Sequence, residues 1–206
     1  MTATDHTTNR HTVDAEALRG EDGVMYSEVA THPHGGPATT TPAVIEPYTV
    51  GDRVEDFVLP DVHGRPVQFS EVAGPWTLLY FITTWCPYCT AEAPYLESEL
   101  VAQFADRGLR LVVVDVKEPA AVAATLPARF GWTAPFLIDE VGDVSERFAP
   151  RKEGLAPEVA IINAHLLLDQ DRVIRFAQYL NMERFDVHAT GVAAAIDALM
   201  GGGDDA

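Results

Sequence analysis

The only thiols in this 206-residue chain are Cys86 and Cys89, which stand with two residues between them. Such a pair can exchange disulfides, supply half of a metal site, or lie inert in a core. The residues before it, "WTLLYFIT" (76–83), form an unbroken apolar run, as expected of a central strand covered on both faces. From about Pro87 to Arg107, Leu96, Leu100, Val101 and Phe104 recur at helical spacing, and Gly108 follows as a stop. At a strand-to-helix junction this spacing can bring two sulfurs to bonding distance. The free N–H groups and positive end of the helix then stabilise a thiolate, the nucleophile of disulfide exchange. Pro87 suits the first helical turn, where its missing N–H costs nothing. A structural zinc site needs four protein ligands, and the rest of the predicted domain supplies neither a second cysteine pair nor a well-spaced histidine pair. A disulfide closing so short a loop would restrain the unfolded chain little. Inert buried thiols remain the bland alternative, against which the junction and the Pro-Tyr spacer both count. Redox chemistry is the favoured reading.

The elements that must position this pair alternate between strand and helix. "YTVGDRVEDFVLPDVHGRPVQFSEVAG" supplies two short extended pieces with a turn at His63-Gly64. "LRLVVVDV" (109–116) is a second buried strand, and "PAAVAATLPARFG" a helix interrupted near Pro127. "PFLID" (135–139) is short and extended, "EVGDVSERFA" a short helix. "PEVAIIN" (157–163) and "DRVIRFAQYL" (171–180) read as strands joined through "AHLLLDQ", and 186–200 as the last helix. This order predicts an α/β sandwich around one mostly buried sheet.

Composition agrees with one folded domain: 47% of residues are hydrophobic and 22% charged. Residues 1–44, rich in Thr, His, Gly and Pro, are expected to be a flexible N-terminal tail. Residues 45–200 form the domain and 201–206 a flexible C-terminal tail. His6, His11, His32 and His34 fall in the first tail, where scattered histidines are solvated more often than ligating, so no metal site is expected. A net charge of −17 disfavours nucleic acid and anionic membranes as partners. Lys117 and Lys152 are the only lysines, and so acidic a surface fits either adaptation to concentrated salt or plain acidic bias. No apolar stretch is long enough to cross a membrane. The first twenty residues lack a basic segment followed by an apolar core, so the chain as written is expected to be cytoplasmic. An extracytoplasmic site stays open if an upstream segment has been removed.

The residues around the cysteines resemble a family. The pattern W-C-x-x-C-x-x-E-x-P is matched by Trp85, Cys86, Cys89, Glu92 and Pro94. With the opening "GDRVEDFVLP", "FLIDEVGDVSERF" and "LAPEVAIIN", it makes residues 47–180 similar to the TlpA/ResA-type thiol–disulfide oxidoreductases, in the wider group that includes the peroxiredoxins (AhpC/TSA). The resemblance implies a thioredoxin-like fold, a central mixed β-sheet flanked by helices with an extra N-terminal β-hairpin. It implies Cys86 as the exposed nucleophile that forms a mixed disulfide, Cys89 as the resolving thiol, and Glu92 as a helper in proton transfer. Pro94 should kink its helix. Trp85, Pro87 and Tyr88 would meet the partner. A cis-proline loop should face the cysteines; Pro157 is the chosen candidate over Pro135, with Ala156 offering its backbone to the bound strand. No cofactor is implied. The partners would be a protein disulfide or dithiol and an upstream thiol reductant, and the chain a monomer.

Two alternatives stay open. A peroxiredoxin-like thiol peroxidase would need a Thr three residues before its reactive cysteine, which Thr83 provides for Cys86. It would also need a Pro where Leu79 stands and a distant Arg where Glu158 follows Pro157. A redox-inactive binding module of the same fold is the non-enzyme reading. The Cys-Pro-Tyr-Cys tetrad also occurs in glutaredoxins, but it is the only feature shared with them.

Overall fold

The computed structural model describes residues 46–201; the two predicted tails and their histidines lie outside that range, apart from Gly201. The strands are β1 (Val58–Pro60), β2 (Pro66–Gln68), β3 (Trp76–Ile82), β4 (Leu109–Val116), β5 (Phe136–Asp139), β6 (His165–Asp169) and β7 (Ile174–Gln178). The α-helices are α1 (Phe69–Val72), α2 (Pro87–Tyr95), α3 (Ala102–Phe104), α4 (Ala120–Ala123), α5 (Thr125–Phe130), α6 (Pro157–Ala160) and α7 (Thr190–Gly201). Strands β1 and β2 pair as the expected hairpin. Its turn closes because Asp61 Oδ1 accepts the N–H groups of His63 and Arg65, while Gly64 takes φ +75°.

The other five strands form one mixed sheet in the order β5-β4-β3-β6-β7, with β3 parallel to β4 and antiparallel to β6. Strand periodicity explains the unbroken apolar run. Leu78, Tyr80 and Ile82 point into one core with Leu96, Leu100, Phe104 and α7, whereas Leu79 and Phe81 point into a second with Phe57, Phe69 and Phe148. Each such fully buried side chain contributes about 1.5–3 kcal/mol over leaving it in water.

Three expectations change. The helix after the cysteines is not uniform: α2 gives way to a π-helical turn over Leu96–Val101 before α3 and a 3-10 turn at Ala105–Arg107. Pro94 supplies the cause, since it has no N–H for the carbonyl four residues back. Gly108 ends the segment at φ +89°. Second, the helical segment near Pro127 breaks earlier, at Ala124, which separates α4 from α5. Third, the strand falls on the stretch expected to be a connection. "HLLLD" is β6, in register with Trp76–Tyr80, whereas "PEVA" is the short helix α6. Both stretches are apolar; the one that follows Asn163 is the one paired with β3.

Candidate active site

Cys86 caps α2: it has extended backbone angles, Pro87 fills the first helical turn, and its Sγ accepts the Cys89 N–H at 3.2 Å. The cysteines are free thiols in very different surroundings. The bond from Cys89, assisted by backbone N–H groups, lowers the Cys86 thiol to about 7, against the opposing effects of burial and the Glu92 charge. Burial, followed by the proximity of Cys86, pushes the Cys89 thiol up. One thiol is therefore a ready thiolate at neutral pH and the other holds its proton. Cys86 is not the exposed nucleophile expected: only 3% of its surface is accessible, because Sγ turns in toward the helix N-terminus rather than out to solvent.

Glu92, one helical turn beyond Cys89, is buried at 2% exposure rather than solvated. Its carboxylate is the centre of a polar cluster in an apolar core. Oε2 accepts from Asn163 Nδ2 at 2.6 Å and from Tyr80 Oη at 3.2 Å, and Asn163 Nδ2 also reaches Tyr80 Oη at 2.9 Å. Oε1 lies 3.1 Å from His165 Nε2 at an angle too poor for a full hydrogen bond, leaving both ring nitrogens short of a partner. Burial, reinforced by the neighbouring Cys89 and Glu92 charges, holds the Tyr80 phenol well above its ordinary range, which places its hydroxyl between the Cys89 thiol and the glutamate.

Of the other expected residues, Trp85 is 61% exposed and so available to a partner, not part of the core. Tyr88 is half-buried, its ring 4.9 Å from that of Phe185. The cis-proline expectation is overturned. No peptide bond among the described residues is cis, and Pro157 opens α6 as its first residue, a position that a trans proline suits. Ala156 is the residue before that helix, and Pro157 lines a different cleft with Pro47, Glu146 and Leu155. The residue that reaches the Glu92 cluster from this side is Asn163, through its side-chain amide; its backbone takes φ +60° and donates its N–H to Phe81 O at 2.8 Å.

Tyr80, Asn163 and His165 escaped the sequence reading because Tyr80 and Asn163 were absorbed into expected apolar strands and His165 into the connection between two strands. The one visible signal was polarity: "NAH" opens an otherwise apolar stretch. A second polar group also went unnoticed. Asp115, on β4 beside Ile82, is fully buried, and neither of its oxygens is hydrogen-bonded to a donor. Burial and the adjacent Glu118 carboxyl raise it to about 9. Glu118 in turn accepts the Thr84 N–H at 2.6 Å and the Thr84 hydroxyl, two residues before the first cysteine. Among the described residues no group of three or more His, Cys, Asp or Glu side chains is placed to hold a metal ion.

The AhpC/TSA family profile matches residues 50–177, more than half of the chain and the whole of the cysteine-bearing sheet apart from the last residue of β7. The chain belongs to the AhpC/TSA family. Within it, the chain is 29% identical over 115 residues to the thiol-disulfide oxidoreductase ResA of Halalkalibacterium halodurans, a match that covers 56% of this chain and 63% of that one. It is 36% identical over 95 residues to ResA of Geobacillus thermodenitrificans, covering 46% of this chain and 54% of that one. The matched region thus spans less than two thirds of these relatives' length. Among solved structures, the peroxidoxin BcpB from Mycobacterium tuberculosis superposes with a TM-score of 0.59 at 28% identity, over 73% of this chain and 97% of that one. A thiol:disulfide interchange protein DsbE from Chlorobium tepidum superposes with a TM-score of 0.56 at 19% identity, over 72% and 98%. The latter likeness establishes the thioredoxin-like fold of this AhpC/TSA member. None of its described helices is long and apolar enough to cross a membrane.

Proposed function

We propose that this chain is a thiol–disulfide oxidoreductase that exchanges its Cys86–Cys89 pair with a protein disulfide through a mixed disulfide on Cys86. The observation that carries the reading is the asymmetry of the pair: a helix-capping thiol lowered to about 7 beside a buried thiol pushed upward. The similarity to ResA proteins supports it. In the reducing direction the Cys86 thiolate attacks one sulfur of the partner's disulfide, and the other sulfur leaves as a thiolate and takes up a proton. Cys89 then loses its proton toward the Tyr80–Glu92 pair and attacks Cys86 Sγ. The S–S bond to the partner breaks, and the second partner sulfur leaves with the electron pair. Two electrons pass to the partner, and an upstream thiol reductant restores the dithiol. Trp85 and Tyr88 form the surface that receives the partner.

Insulin reduction supported by a small dithiol tests this. Cys86→Ser should lower turnover to the uncatalysed background, and Cys89→Ser should accumulate a mixed disulfide on Cys86 visible by mass spectrometry. A wild-type chain no faster than the dithiol alone overturns the reading in favour of a redox-inactive module.

The second reading, a thiol peroxidase, is favoured by the likeness to the peroxidoxin and by the buried, unpartnered hydroxyl of Thr83 three residues before Cys86. Against it, Leu79 points into the core opposite that of the cysteines, and Glu158 is directed to Lys117 at 3.8 Å, so no guanidinium stands at that position. Peroxide consumption by the reduced chain far above that of free thiol would reverse the order.

A further inference from the structure

Resting on the oxidoreductase reading, we infer that His165 is a positioning residue for the resolving step. Its ring holds Glu92 as the proton acceptor for Cys89 and connects that carboxylate to a cleft of about 510 Å³ between β7 and α7. The ring is buried at 1% exposure on β6, opposite Tyr80 on β3, with the two rings' centroids 4.8 Å apart. Nε2 faces Glu92 Oε1 at 3.1 Å without a full hydrogen bond, and Nδ1 has no protein partner among the described residues. A buried imidazole so placed is costly unless its polar atoms serve something. The cleft wall shared by Glu92, Asn163 and His165 gives the proton a way out that does not pass the bound partner above Cys86.

The charged and titratable groups around the ring are few. Tyr80 faces it from β3, Glu92 from α2, and Cys89 lies beyond Tyr80; β7 contributes only the neutral Gln178, while Arg184 and Asp186 lie at the exposed rim of the cleft. Among the described residues, Glu92 is the sole carboxylate at ion-pair distance from the ring. During resolution the Cys89 proton moves to the Tyr80 oxygen as the phenolic proton moves to Glu92. His165 shares that proton and hands it to water in the cleft. No electron passes through the ring.

The experiment is the pH dependence of the second step, measured as release of thiol from a preformed mixed disulfide on Cys86 in the full chain. In wild type the rate should rise along one acidic limb as the carboxylate–imidazole pair becomes able to accept a proton. His165→Gln keeps a donor but cannot carry charge, and should move that limb to higher pH by about one unit, a tenfold slower release on the limb. On a Glu92→Gln background, His165→Gln should add nothing, since its effect passes through Glu92. A limb unmoved in His165→Gln, or full additivity of the two changes, overturns the role. His165→Asn is the second variant; loss of the cooperative thermal transition in both amide variants would assign the ring to packing and overturn the proposal as well. Failure of the parent reading is recognised separately, because wild type itself would then form no mixed disulfide.

Discussion

Two acidic clusters flank the same strand and helix, and they are satisfied in opposite ways. On the β6 side, Glu92 is met by Asn163, Tyr80 and a histidine ring. On the β4 side, Asp115 and Glu118 face each other; among the described residues a threonine is the only donor to Glu118 and Asp115 has none. A carboxylate can stay charged in a core only if donors or a cation replace its water; two carboxyls together must keep a proton between them. The first cluster is thus equipped to accept a proton, whereas the second already holds one. Glu118 pins Thr84, two residues before Cys86.

The largest expected effect separates the clusters by activity. Glu92→Gln should slow disulfide exchange by about 100-fold, the low end of what a positioned acid–base group supplies, while Glu118→Gln should stay within about threefold of wild type. Comparable losses in both would erase the distinction; insulin turnover at neutral pH decides it.

A second test reads stability. Asp115 is raised from 3.8 to about 9, so the folded chain keeps a proton that the unfolded chain releases. Stability therefore declines as pH rises from about 4 to 9, because the unfolded state binds fewer protons across that window. Asp115→Asn removes the decline. Its advantage should be absent near pH 4 and reach about 1–3 kcal/mol at neutral pH in urea titrations. An advantage independent of pH would show that Asp115 is not the protonated partner.

The smallest effect concerns Cys86. Its alkylation rate should follow a titration near 7, and because the Glu92 charge opposes the thiolate, Glu92→Gln should move that midpoint downward. A shift of a few tenths of a unit corresponds to well under about 1 kcal/mol, so a stopped-flow series across pH is needed. Glu118→Gln should leave the midpoint in place. The same thiol links redox state to stability: with its folded value near 7 against an ordinary 9, the reduced chain gains stability as pH rises through 7 to 9 and lacks that gain below 7.

Much of this was legible in one dimension. β3 and β4 were visible as apolar runs because both faces are covered, and β4 lies on residues 109–116 as read. The cysteines and the helix-opening Pro87 are local in sequence, so spacing marked them, whereas Glu92 and Pro94 were marked by the resemblance to the family. The interrupted helix was foreseen in Pro94, though not its π form. Where neighbours distant in the chain decide the outcome, the reading failed. "VAII" and "LLL" are equally apolar, and only the hydrogen-bond register with β3 makes the second a strand and leaves Asn163 and His165 at its entrance. Pro157 carried the right local signal for a constrained turn but for the wrong loop, since a proline after an extended residue equally well begins a helix.

Residue type and spacing determined by themselves that a thiol pair sits at a strand-to-helix junction with a carboxyl one turn on, because helix geometry and backbone polarity act over a few residues. Only the tertiary structure decided what surrounds that carboxyl. Burial beside Tyr80, Asn163 and His165, which approach from 12 residues before it and 71 and more after it, replaces the water that a surface glutamate would have kept.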